Sequence, residues 1–243
     1  MKTALVTGAS RGIGYAITKA LLRDGIKVTG TARSSAFSDD LKKNEIFSGL
    51  HVDLANESDI KDILGPVLLN ETPDILVNNA GIFVDSPIDS ADQDWLDVWD
   101  KTFQVNLRSS SLLAKWFINA HQRNSTEGVL INVASRAAYR GDTQEYAAYA
   151  ASKAGMVAFT KSVARDYSKK GIYAYSIAPG FIDTDMARES VSVYGEEYLT
   201  RDSAFESITK PDDVAEMIAF LCQGKVKHMS GSTFHINGGS YMI

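Results

Sequence analysis

The chain has 243 residues, 44% of them hydrophobic and 23% charged, with a formal net charge of -5. That length and apolar content suit one large α/β domain with a sizeable core. The acidic balance, without a basic cluster, argues against nucleic acid as a general partner.

The single cysteine, Cys222, has no partner for an intrachain disulfide and lies in an apolar helical run, so it reads as a core thiol. His51, His121, His228 and His235 are scattered, and none pairs with another at ligand spacing; no metal is expected. No apolar run approaches the roughly 18 residues that span a bilayer. Met1-Lys2 leads straight into a strand without a signal core. These features predict a cytoplasmic protein that does not bind membranes.

Short β-rich runs alternate with longer helical patterns, which signals a parallel sheet covered on both faces. A strand over residues 3–7 leads into a helix over 13–23, and Gly25 stands where a left-handed C-cap would close it. Strands follow at 27–31 and 47–52, then a helix at 58–64, a strand at 74–77 and a long helix at 95–120. A strand at 129–133 precedes a second long helix, 146–168, with Gly171 as its C-cap before the strand 173–178. Pro211-Asp212-Asp213 opens a helix over 211–222, with proline in the first turn and carboxylates at the positive dipole end. A last strand spans 233–236. The pattern predicts a single-domain, Rossmann-like doubly wound α/β fold of about seven strands. Residues 182–209 break the rhythm beside Pro179-Gly180 at a strand end, where such folds place ligands. They read as a mobile substrate lid or as a plain surface insertion.

Gly8, Gly12 and Gly14 fall in the turn between the first strand and first helix, where missing side chains let backbone approach a pyrophosphate at the helix's positive end. Tyr149 and Lys153 share a helix face, with Ser135 upstream. A lysine ammonium below a tyrosine hydroxyl stabilises the phenolate, which predicts a tyrosine pKa below its ordinary value near 10. Tyr15 and Lys19 repeat the spacing in the first helix, where they are expected to face solvent and do nothing.

Taken in order, Thr7-Gly8 with Gly12 and Gly14, Asn78-Asn79-Ala80-Gly81, Asn106, Ser135, Tyr149 with Lys153, and Pro179-Gly180 resemble the short-chain dehydrogenase/reductase family over residues 2–243. The resemblance implies that Tyr149 donates a proton to a carbonyl oxygen, that Ser135 hydrogen-bonds that oxygen, and that Lys153 tunes the tyrosine and binds the nicotinamide ribose. Asn106 would hold a water in a proton relay or, alternatively, serve as a buried structural amide. Cofactor contacts are implied for Gly8, Ser10, Arg11, Gly12, Ile13, Gly14, Arg33, Asp53, Leu54, Asn79, Ala80, Gly81, Tyr149, Lys153, Pro179, Gly180, Ile182 and Thr184.

The second strand ends Thr31-Ala32-Arg33-Ser34, with no acid before Asp39 to bind a ribose 2′-hydroxyl. Arg33, seconded by Arg11, suits a 2′-phosphate, so NADPH is expected over NADH unless both arginines are merely solvated. The stretches Val28-Thr29-Gly30-Thr31-Ala32 and Phe181-Ile182-Asp183-Thr184-Asp185-Met186, with the ending from His235 to Ile243, most resemble 3-oxoacyl-[acyl-carrier-protein] reductases, which implies a 3-oxoacyl thioester carried on an acyl carrier protein or coenzyme A. In that resemblance Lys170 occupies one plausible docking position, but Asn124-Ser125-Thr126-Glu127 stands where a basic residue would be expected, which weakens carrier-protein docking. Arg136 and Arg140 follow Ser135 and either recognise an anionic substrate group or pair with Asp142 or Glu145. Other ketone substrates and a non-catalytic NADP(H)-binding protein are the remaining readings. A homotetramer or homodimer is implied, with the two long helices pairing across a two-fold axis.

Overall fold

The computed structural model describes residues 1–34, 36–184 and 200–243. Strands β1 (Thr3–Val6), β2 (Lys27–Ala32), β3 (Phe47–His51), β4 (Ile75–Asn78), β5 (Gly128–Val133), β6 (Ile172–Pro179) and β7 (Thr233–Ile236) form one sheet. Every pairing is parallel, and the order is β3-β2-β1-β4-β5-β6-β7. Each strand lies within a residue or so of its expected bounds.

The helices are α1 (Gly12–Arg23), α2 (Asp39–Lys42), α3 (Glu57–Asp59), α4 (Asp92–Phe103), α5 (Ser109–Asn124), α6 (Ala137–Arg140), α7 (Ala147–Tyr167) and α8 (Pro211–Cys222). Strand alternation divides the two faces of the sheet. Ala4, Val6, Ile75, Val77, Val129, Ile131 and Ile177 share a core with α1 and α8. Leu5, Leu76, Leu130 and Ala174 share the other with α5 and α7. Cys222 is fully buried in the first core, and burial pushes its thiol up to about 12, so it is inert. Gly25 and Gly171 take φ values of +73 and +85, as their C-cap positions demand. No helix among the described residues is long and apolar enough to cross a membrane.

Two helices differ from expectation. The long helix expected at 95–120 is α4 and α5 joined by a widened π-turn, Gln104–Arg108. There the Ser109 and Ser110 hydroxyls donate to the carbonyls of Val105 (2.7 Å) and Asn106 (2.8 Å), which competes with regular winding. The helix expected to stop at Leu64 keeps winding through Gly65 and Pro66 to Glu71, because Ile60, Leu64, Val67 and Leu68 form one buried face. It ends at Thr72, whose φ is +48.

Candidate active site

The chain runs outward from β1 to β2 and β3, then returns to place β4 against the other side of β1. That reversal opens a crevice at the carboxyl ends of β1 and β4. Two turns leave those ends and are tied together. The Thr7 hydroxyl accepts the N–H groups of Asn79 and Ala80, each at 3.0 Å. The Asn79 side chain donates to the carbonyls of Thr7 (2.9 Å) and Gly8 (3.2 Å).

Gly8 (φ +69) and Gly12 (φ +55) take conformations that L side chains avoid. A Cβ on Gly14 would lie 1.9 Å from the Gly8 carbonyl oxygen, so no side chain fits there. Helix α1 starts beyond this turn with no side-chain cap and no acid in its first turn. Its positive end therefore lacks an internal anion, and the cradle fits the pyrophosphate of a dinucleotide.

All the residues that the sequence singled out for cofactor contact line one cleft of about 430 Å³, from Gly8 through Arg33, Asp53 and Asn79 to Pro179 and Thr184. Ser135 also lines it, whereas Asn106 does not. Arg33 is exposed at the end of β2.

At the far end of the cleft the Ser135 hydroxyl, which accepts the Ala137 N–H at 3.1 Å, interacts with that of Tyr149. Lys153, one helical turn on and 3% exposed, donates to the Val133 carbonyl at 2.8 Å. Its Nζ lies 5.7 Å from the centre of the Tyr149 ring. Burial, reinforced by the nearby Asp142 carboxylate, outweighs the Ser135 hydrogen bond and pushes Tyr149 up to about 12. Burial pulls Lys153 down to about 8. This corrects the expectation of a lowered tyrosine pKa. Within the fold, desolvation dominates, and the lysine spends its proton on a strand carbonyl.

Asn106 sits in the π-turn, fully buried. Its Oδ1 accepts from Ile82 N at 2.8 Å, while its Nδ2 donates to Ile82 O (3.0 Å) and the Ser152 hydroxyl (3.1 Å). Those bonds favour the structural reading of its side chain. A Cβ on Gly81 would lie 3.2 Å from Asn106 Oδ1 and 3.3 Å from Lys153 Nζ, so the glycine lets both groups approach the turn.

The substrate end holds residues that the sequence did not assign. Phe83 and Tyr146 line the cleft beside Tyr149, although Tyr146 reads from sequence only as a packing neighbour. Arg136 is 5% exposed, with its guanidinium 4.5 Å from the centre of the Phe181 ring. Arg140 lies 3.8 Å from Asp142, the partner that its charge suggested. Of the expected lid, residues 185–199 lie outside the described residues. Its two ends meet at Ile182 and Thr209, and Asp183 N donates to Thr209 O at 3.0 Å. Tyr15 is half-buried rather than fully solvent-facing as expected, and its hydroxyl donates to Asp40 at 2.8 Å in an exposed contact.

A family model described as enoyl-(acyl carrier protein) reductase matches residues 8–241. The 3-oxoacyl-[acyl-carrier-protein] reductase FabG of Vibrio cholerae is 37% identical over 249 residues, covering 100% of this chain and 98% of its own length. Its Escherichia coli counterpart is 37% identical over 248 residues with the same coverage. Among solved structures, 4-hydroxyisoleucine dehydrogenase complexed with NADH superposes with a TM-score of 0.89 at 27% identity, over 99% of this chain and 98% of that one. A putative NAD(P)-dependent gluconate 5-dehydrogenase from Beutenbergia cavernae with bound NADP gives 0.87 at 27%, over 98% and 96%. Full-length likeness, sheet order and a glycine cradle that fits a dinucleotide agree: the chain belongs to the short-chain dehydrogenase/reductase family and is an NAD(P)-binding ketoreductase.

Proposed function

We propose that the protein reduces the ketone of a 3-oxoacyl thioester to a secondary alcohol, with NADPH as reductant. The observation that carries the chemistry is the Ser135–Tyr149 hydroxyl pair above the buried Lys153, at the inner end of a dinucleotide-shaped cleft. When bound, the nicotinamide supplies hydride to the carbonyl carbon. Ser135 holds the carbonyl oxygen by a hydrogen bond, and Tyr149 gives that oxygen its proton. With its pKa pushed up to about 12, Tyr149 is protonated at neutral pH and so carries the proton that reduction needs. Lys153 supplies positive charge beneath the ring and a donor for the ribose. Asn106 braces the Ile82 backbone behind it. The glycine turn and Ile13 hold the pyrophosphate, Asp53 and Leu54 the adenine, and Pro179, Gly180, Ile182 and Thr184 the nicotinamide side.

Arg33 supports NADPH, since a guanidinium at the end of β2 suits a 2′-phosphate and the first acid beyond it is Asp39. The thioester reading draws on the 37% identity to the two FabG reductases. A carrier protein would dock at the cleft mouth, residues 182–209 would cover the substrate, and the chain would assemble as a homotetramer. A second reading, a small anionic ketone, is favoured by Arg136 and Arg140 on the cleft wall.

One experiment separates these readings: initial rates of acetoacetyl-CoA and free acetoacetate reduction, each with NADPH and NADH. The thioester reading expects acetoacetyl-CoA and NADPH to give the highest kcat/KM. Arg33→Ala should then cost NADPH at least about tenfold in kcat/KM and leave NADH nearly unchanged. Preference for free acetoacetate would replace the thioester with the anionic ketone. Equal use of both cofactors would remove Arg33 from phosphate recognition.

A further inference from the structure

Nothing in the proton-transfer scheme above explains what fixes the ring of Tyr149. Its Cα is held by α7, but two side-chain torsions set where the phenol ring and its hydroxyl lie. Phe83 supplies the missing wall. Its ring centre lies 4.9 Å from that of Tyr149 at an interplanar angle of 89°, an edge-to-face contact. Phe83 is itself backed by Tyr146, stacked at 3.8 Å and 13°.

The two segments that bring these rings together are joined by backbone. Ser86, 2% exposed, donates its N–H to the Glu145 carbonyl at 2.6 Å and its hydroxyl to the same oxygen at 3.2 Å. The loop after β4 and the turn before α7 are therefore tied together beside the aromatic stack.

We propose that Phe83, backed by Tyr146, is a positioning residue that holds the Tyr149 ring where its hydroxyl meets the substrate carbonyl. The inference rests on Tyr149 being the proton donor. Phe83 does not touch the reacting atoms; it acts through the ring beside it. Two effects follow. Small misplacements of a reacting group cost rate out of proportion to their size. The same ring covers part of Tyr149, whose burial is the largest contribution to its high pKa.

The test compares the wild type with Phe83→Leu, Phe83→Tyr, Tyr146→Leu and Tyr149→Phe, as full chains. Three quantities are read: kcat against pH from 6 to 11.5 on whichever of acetoacetyl-CoA and acetoacetate the wild type reduces, KM for that substrate, and Kd for NADPH by fluorescence titration. Phe83→Leu should lower kcat about tenfold, move KM and Kd by less than about twofold, and bring the alkaline limb of the kcat profile to lower pH. Phe83→Tyr keeps the ring and should recover most of the loss. Tyr146→Leu should show a smaller change of the same kind, and the double Leu variant should be little worse than Phe83→Leu alone.

A Phe83→Leu enzyme with wild-type kcat and an unmoved alkaline limb overturns the proposal. So does a loss that appears in KM or Kd rather than kcat. If Phe83→Leu gives no cooperative melt, Tyr146→Leu decides by the same readouts. Tyr149→Phe keeps the two claims separate. If it still turns over, the proton-donor reading fails; if it is dead while Phe83→Leu is normal, only the positioning role fails.

Discussion

Two Tyr-x-x-x-Lys pairs on different helices have nearly the same internal geometry and opposite fates. In α1 the Lys19 ammonium lies 5.4 Å from the Tyr15 ring centre; in α7 the Lys153 ammonium lies 5.7 Å from that of Tyr149. The helix fixes that much in both places, because residues four apart share a face. What surrounds each pair then decides what it can do. Lys19 is 56% exposed in its side chain and pairs loosely at 3.9 Å with Asp40, which also takes the Tyr15 hydroxyl. Lys153 is 3% exposed and bonded to a strand carbonyl, and Tyr149 points to Ser135 across a cleft. Solvent surrounds the first pair, while burial moves the pKa of both members of the second. Spacing is necessary for the chemistry, and the low-dielectric cleft is what makes it sufficient.

The sharpest way to break that comparison is to remove both tyrosine hydroxyls in turn. Tyr149→Phe should lower ketone reduction by about 10²–10⁴-fold while NADPH still binds, because only proton donation is lost. Tyr15→Phe should remain within about twofold of wild type. Steady-state rates paired with cofactor titration check both variants. A Tyr149→Phe enzyme with more than a tenth of normal turnover would show that burial had not singled out this residue.

Order and context along the chain set Tyr149 and Lys153 with Ser135, and the structure brings these three to one cleft that Tyr15 and Lys19 do not line. Gly8, Gly12 and Gly14 stood where no other residue could, since a Cβ on Gly14 meets the Gly8 carbonyl at 1.9 Å. Backbone constraints of that kind are written in residue types, so the cofactor half of the cleft was legible. So was α8, whose Pro211 start and Cys222 end match the pattern residue for residue. The substrate half was less so. Phe83 meets Tyr146 only because Ser86 ties two distant loops together, and no local pattern announces a contact across 63 positions of sequence. The π-turn around Asn106 depends on hydroxyls of Ser109 and Ser110 bonding backward, a choice that periodicity does not record. The sign of the Tyr149 shift escaped for a third reason. A neighbouring lysine is readable from spacing, but desolvation depends on everything that packs around the pair.

The lysines sharpen the comparison through stability as well as rate. Lys153→Met should abolish most turnover yet leave the protein as stable at pH 7 or more so, because a buried ammonium held by one carbonyl is costly. The pH dependence carries the sign. The folded pKa near 8 lies below the unfolded value near 10.5, so between them the unfolded chain binds the extra proton. Wild-type stability should therefore climb with pH across that window, by on the order of 3 kcal/mol at most. Tyr149 works the other way: its folded pKa near 12 exceeds the ordinary value of 10.0, so stability falls as pH rises from 10 toward 12. Denaturant melts of Lys153→Met should lack the climb between pH 8 and 10.5, while Lys19→Met should keep it. An unchanged slope in Lys153→Met would mean that the lysine is hydrated and the burial argument wrong.

The smallest effect belongs to Asp40, the acid that distinguishes the exposed pair. It accepts the Tyr15 hydroxyl and sits 3.9 Å from Lys19, and hydrogen bonds from Ser38 and Tyr15 hold its carboxyl below the ordinary range. All of this happens in solvent, where water replaces a lost partner at little cost and salt screens the rest. Asp40→Asn should therefore shift Tm by no more than about 1 °C and leave turnover unchanged, at both low and high salt. A thermal melt beside a rate measurement is enough to check it. A shift above about 5 °C would mean that Tyr15, half-buried against the first core, is anchored through Asp40. The α1 pair would then be structural rather than idle, and burial alone would no longer separate the two pairs.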